Sequence, residues 1–184
     1  TILSQTLPKS PFLIEWIANK GMDEAERYKA ERAAYGTFMH AQFEELLINR
    51  TYDLDTLKLR LKNYIDNNED GIYDLISAVE IALVHPMRNY AGMIDCPCTM
   101  LAKPGSDLYI NAIVDFKSGR KGFYEEAEIQ LHLYKDMWNF NFPHCPIMRV
   151  FNFSPKKRRK KPTYNLKEQT DSPNAAKIPA LLEI

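Results

Sequence analysis

The stretch LYINAIVDFKSG, Leu108 to Gly119, decides how the rest of the chain is read. Alternate residues of a strand share a face. Ile110, Ala112, Val114 and Phe116 therefore line one side, and Ile113, Asp115 and Lys117 the other. The run predicts a buried strand that ends in two opposite charges standing side by side, just ahead of a Ser-Gly turn. Burying charge is costly unless the groups pair or hold a metal ion. Taken alone, an Asp-x-Lys pair reads as an ordinary ion pair at a strand end.

Upstream, AVEIALVHP (Ala78 to Pro86) and NYAGMIDCPCTML (Asn89 to Leu101) read as two more strands, and AKPGSD supplies a Pro-Gly turn into the third. Short connections make the three an antiparallel meander. Before them the period is helical. SPFLIEWIANKG is a short amphipathic helix started by Ser10-Pro11 and stopped by Gly21. Asp23 to about Asn49 forms a second helix despite Gly36-Thr37, and Asp55 to Asn67 a third, with Leu57, Leu61 and Ile65 four apart. Downstream, EEAEIQLHLYKDMWNF returns to helix with Ala127, Leu131, Tyr134 and Trp138 on one face, ended by Pro143 and Pro146. PIMRVFNFSP is a fourth strand and KPTYNLKEQ a fifth. The tail from Asp171 onward reads as irregular or weakly helical. The order is helices, three strands, helix, strand: an α/β fold with a mixed central sheet flanked by helices.

With 184 residues and 45% hydrophobic content, the chain suits one domain spanning 1–184 with a real core. Formal net charge is zero, so whole-molecule electrostatics points to neither nucleic acid nor membrane. No apolar run approaches the roughly 20 residues that cross a bilayer, and no signal-peptide pattern is present. A cytoplasmic protein is expected, with its natural N-terminus trimmed, since the chain starts at Thr1. Three cysteines, Cys96, Cys98 and Cys145, suit neither a disulfide framework nor a four-cysteine metal site, and reduced thiols are expected. His85, His132 and His144 lack partners at metal-ligand spacing and read as structural. The charge is nevertheless uneven. PKKRRKKP, Pro155 to Pro162, packs Lys156, Lys157, Arg158, Arg159, Lys160 and Lys161 into one run between the last two strands. Backbone phosphates would relieve their mutual repulsion. A solvated hairpin tip and a nuclear localisation signal are the other readings.

Asp95 ends GMID, and Asp115 ends IVD on the neighbouring strand. Two carboxylates so placed, with Lys117 beside one, form a cup for a hard divalent cation such as magnesium. Such a cation polarises a phosphoryl oxygen and acidifies a bound water, and the ammonium can stabilise developing charge.

Four motifs occur in order: GTFMH (Gly36 to His40), GMID (Gly92 to Asp95), DFK (Asp115 to Lys117) and QLHLY (Gln130 to Tyr134). Together they resemble the RecB-like branch of the PD-(D/E)XK nuclease superfamily, which includes phage and bacterial exonucleases. Its signature is Gly-Thr-x-x-His on a helix, Gly-x-x-Asp on a strand, Asp/Glu-x-Lys on the next strand and Gln-x-x-x-Tyr on the following helix. The resemblance covers Gly36 to Tyr134 and implies a restriction-endonuclease-like core: helix, three-stranded meander, helix, strand. It implies that Asp95 and Asp115, with the backbone carbonyl of Phe116 and with His40, ligate Mg2+ or Mn2+. Lys117 is similar to the catalytic lysine. Glu80 falls where the family often has a glutamate, as an additional acidic ligand. Gln130 and Tyr134, on one helix face, support the site or contact DNA.

The implied activity is metal-dependent hydrolysis of DNA phosphodiesters, first as an exonuclease working at DNA ends in repair, recombination or phage DNA processing. A structure-specific endonuclease and a non-catalytic DNA-binding or partner-binding module are the alternatives. DNA is the implied partner, with a recombination or annealing protein beside it, and no membrane. One branch of the family holds an iron–sulfur cluster on four cysteines; with three, none is expected here. No Walker motif is present, so a motor would be another polypeptide.

Overall fold

Ser10 and Gly21 bracket the first helix as the sequence predicts. In a computed structural model, which describes residues 7, 9–49, 80–118, 123–155 and 164–182, α1 runs over Pro11–Lys20. The Ser10 hydroxyl accepts a hydrogen bond from the Leu13 N–H at 3.2 Å, occupying one of the donors that a helix start leaves free. Gly21 leaves the helix at φ +82°, a backbone conformation that costs glycine little. The next helix, α2, is continuous over Met22–Asn49, Gly36-Thr37 included. The expected helix Asp55 to Asn67 lies outside the described residues, as does the basic run 156–161.

The strands are β1 (Ile81–His85), β2 (Tyr90–Ile94), β3 (Cys96–Leu101), β4 (Tyr109–Phe116), β5 (Arg149–Pro155) and β6 (Tyr164–Glu168). Helix α3 (Glu125–Asn141) joins β4 to β5, and a 3-10 turn (Pro173–Lys177) leads into α4 (Ile178–Leu182). The tail is therefore ordered into short helical turns. The protein is mixed α/β, with a four-stranded mixed sheet in the order β3-β4-β5-β6. Strands β4 and β5 are parallel, while β3-β4 and β5-β6 are antiparallel.

The three-stranded meander needs a correction. The run expected as one strand from Asn89 to Leu101 breaks at Asp95. Its first half pairs with β1 as a two-stranded hairpin, and its second half joins the main sheet. The ladder of β3 with β4 ends at Cys96 opposite Val114; continued, it would set Ile94 opposite Phe116. Instead the Asp95 carboxylate accepts the Phe116 N–H at 2.6 Å. A side chain thus satisfies the donor that a β2 carbonyl would otherwise take, and β2 is free to diverge. Periodicity cannot see such a fork, because residues on both sides of it alternate like one strand.

The sheet is covered on both faces. On one, Met39, Phe43, Leu46 and Leu47 of α2 pack on Cys96, Cys98, Ala112, Val114, Phe116, Phe151 and Phe153. Phe43 sits 4.5 Å from the Phe116 ring and 5.8 Å from the Phe153 ring, centroid to centroid. On the other, Leu131, Tyr134, Met137 and Trp138 of α3 pack on Ile113 and Val150, with Tyr90 and Ile94 of the hairpin joining them. The face assignment read from LYINAIVDF holds in the core: Ala112, Val114 and Phe116 meet α2 and Ile113 meets α3. Asp115 and Lys117 therefore rise on the α3 side.

Candidate metal and catalytic centre

The fork at Asp95 builds the site. His40, on the half of α2 pinned by Met39 and Phe43, brings its Nδ1 to 3.2 Å from Glu80 Oε1 and 3.7 Å from Asp95 Oδ1. Ligand atoms of His40, Glu80 and Asp95 all lie within 4.8 Å of one another. Glu80 reaches this position with φ at +57°, in the left-handed region that costs a glutamate energy. Its N–H donates to the Asp95 carbonyl at 2.9 Å, which ties the strained residue to the fork. Such strain persists where surroundings over-determine it, and it clusters at functional sites.

Asp115 stands outside that triad. Its side chain is 1% exposed; Lys117 Nζ donates to Oδ1 at 2.9 Å and Asn152 Nδ2 to Oδ2 at 2.7 Å. Lys117 also donates to Gln130 Oε1 at 3.0 Å, and Gln130 Nε2 donates to the Tyr134 hydroxyl at 2.6 Å. The backbone N–H of Lys117 goes to the Phe153 carbonyl at 2.8 Å, which fixes the base of the lysine to β5. Gln130, braced by Tyr134 four residues on along α3, thus holds the ammonium together with Asp115. Gly92 explains its place in GMID: a Cβ there would stand 2.6 Å from Tyr134 Cε1. Only glycine lets the tyrosine ring lie against β2.

Burial works against charge on both carboxylates. Burial pushes Asp95 up to about 7; the nearby Asp115 charge adds to this, while His40, the Phe116 N–H and Lys117 pull it back. Burial also raises Asp115 above its ordinary value, opposed by Lys117 and then by Asn152. Tyr134 is raised by burial and by the Asp115 and Asp95 charges. Two buried acids that repel one another are what a divalent cation relieves. The donor set, one imidazole nitrogen with carboxylate oxygens from Glu80 and Asp95, could hold a metal ion.

Of the residues expected from the sequence, His40, Glu80, Asp95, Asp115, Lys117, Gln130 and Tyr134 converge. Phe116 meets the site through its N–H, while its ring belongs to the core under α2. Lys156, Lys157, Arg158, Arg159, Lys160 and Lys161 fall outside the described residues. Cys96 and Cys98 are buried in the core and Cys145 is exposed. Two further histidines have structural contacts: His132 Nε2 meets the Gln169 carbonyl at 2.8 Å, and buried His85 packs on Phe140. The motifs do not include Asn152, which the structure brings to Asp115, or Gln169, which it brings to Asn152. The signal for the first was an amide inside the apolar run VFNF of β5; Gln169, just past a strand end, carried none. No protein-family model and no curated protein matches the chain.

Proposed function

We propose that the protein is a metal-dependent deoxyribonuclease, most directly an exonuclease acting at DNA ends in repair, recombination or phage DNA processing. The fold proposed with it is the restriction-endonuclease-like core, in which α2, the forked strands, α3 and β5 are the common elements. The observation that carries the reading is the junction of two clusters at one fork. A His40–Glu80–Asp95 set within 4.8 Å adjoins an Asp115–Lys117 pair at 2.9 Å. Acidic, imidazole and ammonium groups so placed suit phosphodiester hydrolysis better than a structural ion pair, because burial raises both carboxyls above their ordinary values and a bound cation would offset that penalty.

Asp95, Asp115, His40 and Glu80 would hold Mg2+ or Mn2+, which when bound supplies Lewis-acid stabilisation of phosphoryl charge and a more acidic water. In the reaction, water forms a new bond to phosphorus, the bridging P–O bond breaks, and the departing oxygen takes up a proton. Lys117, oriented by Asp115 and Gln130, places its N–H donors toward the negative charge that builds on the phosphate oxygens. DNA and an annealing or recombination partner belong to this proposal, as does DNA contact by the basic run.

Incubation with linear and covalently closed circular DNA, with and without Mg2+, tests it. Degradation of the linear form alone, dependent on Mg2+, is the expected result. Nicking of the circle makes the enzyme an endonuclease. Cleavage of neither leaves a binding module. Asp115→Ala and Lys117→Ala each abolish cleavage while circular dichroism stays that of a folded chain; near wild-type cleavage by either removes the mechanism.

A further inference from the structure

Asp115 is held from a direction that the four motifs do not account for. Asn152 lies directly across from it in the parallel register of β4 and β5 and is fully buried, at 0% exposure. Its Nδ2 donates to Asp115 Oδ2 at 2.7 Å. Its Oδ1 accepts from Gln169 Nε2 at 3.3 Å, and Gln169 is also buried. Gln169 is fixed at both ends of its backbone: its N–H donates to the Val150 carbonyl at 2.9 Å, and its carbonyl meets His132 Nε2 at 2.8 Å. Strand β5, the residue after β6, and α3 thus converge behind one carboxylate.

An amide has a donor end and an acceptor end of nearly equal shape. Turned over, Asn152 would point its oxygen at the Asp115 carboxylate and repel it. The Gln169 amide supports the orientation, because its N–H2 donates to the oxygen end of Asn152 and would face a second N–H2 if Asn152 turned over. We infer that Asn152 and Gln169 are positioning residues, a two-amide relay that fixes the rotation of the Asp115 carboxylate and so aims its remaining lone pairs and the Lys117 ammonium. The inference rests on the reading of Asp115 as a metal ligand and goes beyond it. It also gives the segment after β6 a part in function, since the site is completed only when the chain past β6 docks on β5 and α3.

The test uses the full chain and reads Mn2+ binding by titration calorimetry alongside Mg2+-dependent cleavage of linear duplex DNA. Gln169→Met keeps the length of the side chain and removes the donor to Asn152. It is expected to weaken Mn2+ binding and lower kcat by roughly tenfold, with KM for DNA unchanged, as for groups that orient a ligand. Gln169→Glu is expected to be worse, since a carboxylate invites the amide end of Asn152 and turns its oxygen toward Asp115. Asn152→Leu is expected to lose roughly 10–100-fold in both. Asn152→Ser, which retains a hydroxyl donor, should recover part of that loss and stands in where Asn152→Leu fails to fold. Met137→Ala, a core change on α3, lowers the melting temperature without moving Mn2+ affinity. Wild-type Mn2+ affinity and kcat in folded Gln169→Met and Asn152→Ser overturn the relay. If the wild-type chain binds Mn2+ but cleaves nothing, the nuclease reading falls; weakened Mn2+ binding in the variants then still upholds the relay, and equal binding overturns it. A wild-type chain that binds no Mn2+ removes both.

Discussion

Replacing Asp95 by asparagine should make the metal-free protein more stable while destroying the nuclease activity proposed above. In the fold, Asp95 is moved from an ordinary 3.8 to about 7, chiefly by burial. A carboxyl raised this far binds a proton in the folded chain at a pH where the unfolded chain has lost it. Its favourable contribution is complete below about pH 4 and disappears as pH climbs through about 7. Above that, ionisation costs about 4 kcal/mol at one pKa unit per 1.36 kcal/mol. Asparagine keeps an oxygen for the Phe116 N–H and never ionises. Asp95→Asn should therefore match the wild type near pH 3.5 and exceed it at pH 8.5 by about 2–4 kcal/mol. For a chain of this size that corresponds to a melting temperature higher by about 4–16 °C. Urea unfolding in EDTA at the two pH values measures the gap. Adding Mg2+ should stabilise the wild type, by mass action on the folded state, and leave the variant unmoved. Cleavage should fall more than about a hundredfold, beyond what groups one layer further out usually cost. A variant less stable than wild type at pH 8.5, or a gap equal at both pH values, refutes the reasoning that the fork stores unfavourable charge for a cation.

Other substitutions probe the supports of the site. Phe43→Ala empties the contact between α2 and the Phe116 and Phe153 rings and should cost about 3–5 kcal/mol in chemical denaturation. Because Phe43 pins the part of α2 that carries His40, Mn2+ affinity should drop with it. Gly92→Ala forces a methyl group to 2.6 Å from the Tyr134 ring and should cost about 1–3 kcal/mol. Combined with Tyr134→Ala, the loss should be less than additive; strict additivity in the double-mutant cycle shows that the two do not share the clash. Lys117→Met leaves buried Asp115 with Asn152 alone, so in urea unfolding the loss of stability with rising pH should extend to higher pH than in the wild type. On α3, two residues before Gln130, burial pushes Glu128 up, but hydrogen bonds from Ser172, Asn174 and Lys167 together hold it below its ordinary value. Glu128→Gln should thus lower stability at pH 7 and lose its effect at pH 3, where the wild-type carboxyl is protonated.

Most of the fold was legible because burial imposes a period. The alternation in LYINAIVDF fixed which residues of β4 meet α2 and which meet α3, and the three- and four-residue spacings marked α2 and α3. The order of chemical residues was equally plain, since GTFMH, GMID, DFK and QLHLY are local strings whose spacing a helix or strand converts into a common face. What the linear chain could not reveal was where a strand stops belonging to its sheet. Asp95 breaks NYAGMIDCPCTML in two by lending its carboxylate to the Phe116 N–H, a contact across 21 positions that leaves no trace in alternation. The same holds for Glu80, whose left-handed backbone and approach to His40 depend on that fork. Asn152 comes to Asp115, and Gln169 to Asn152, only through the parallel register of β4 with β5 and the docking of the segment after β6. Residue type and spacing therefore marked which side chains to look for together. Folding alone settled which of those groups touch, because hydrogen bonds between distant segments follow from strand register and not from neighbouring sequence.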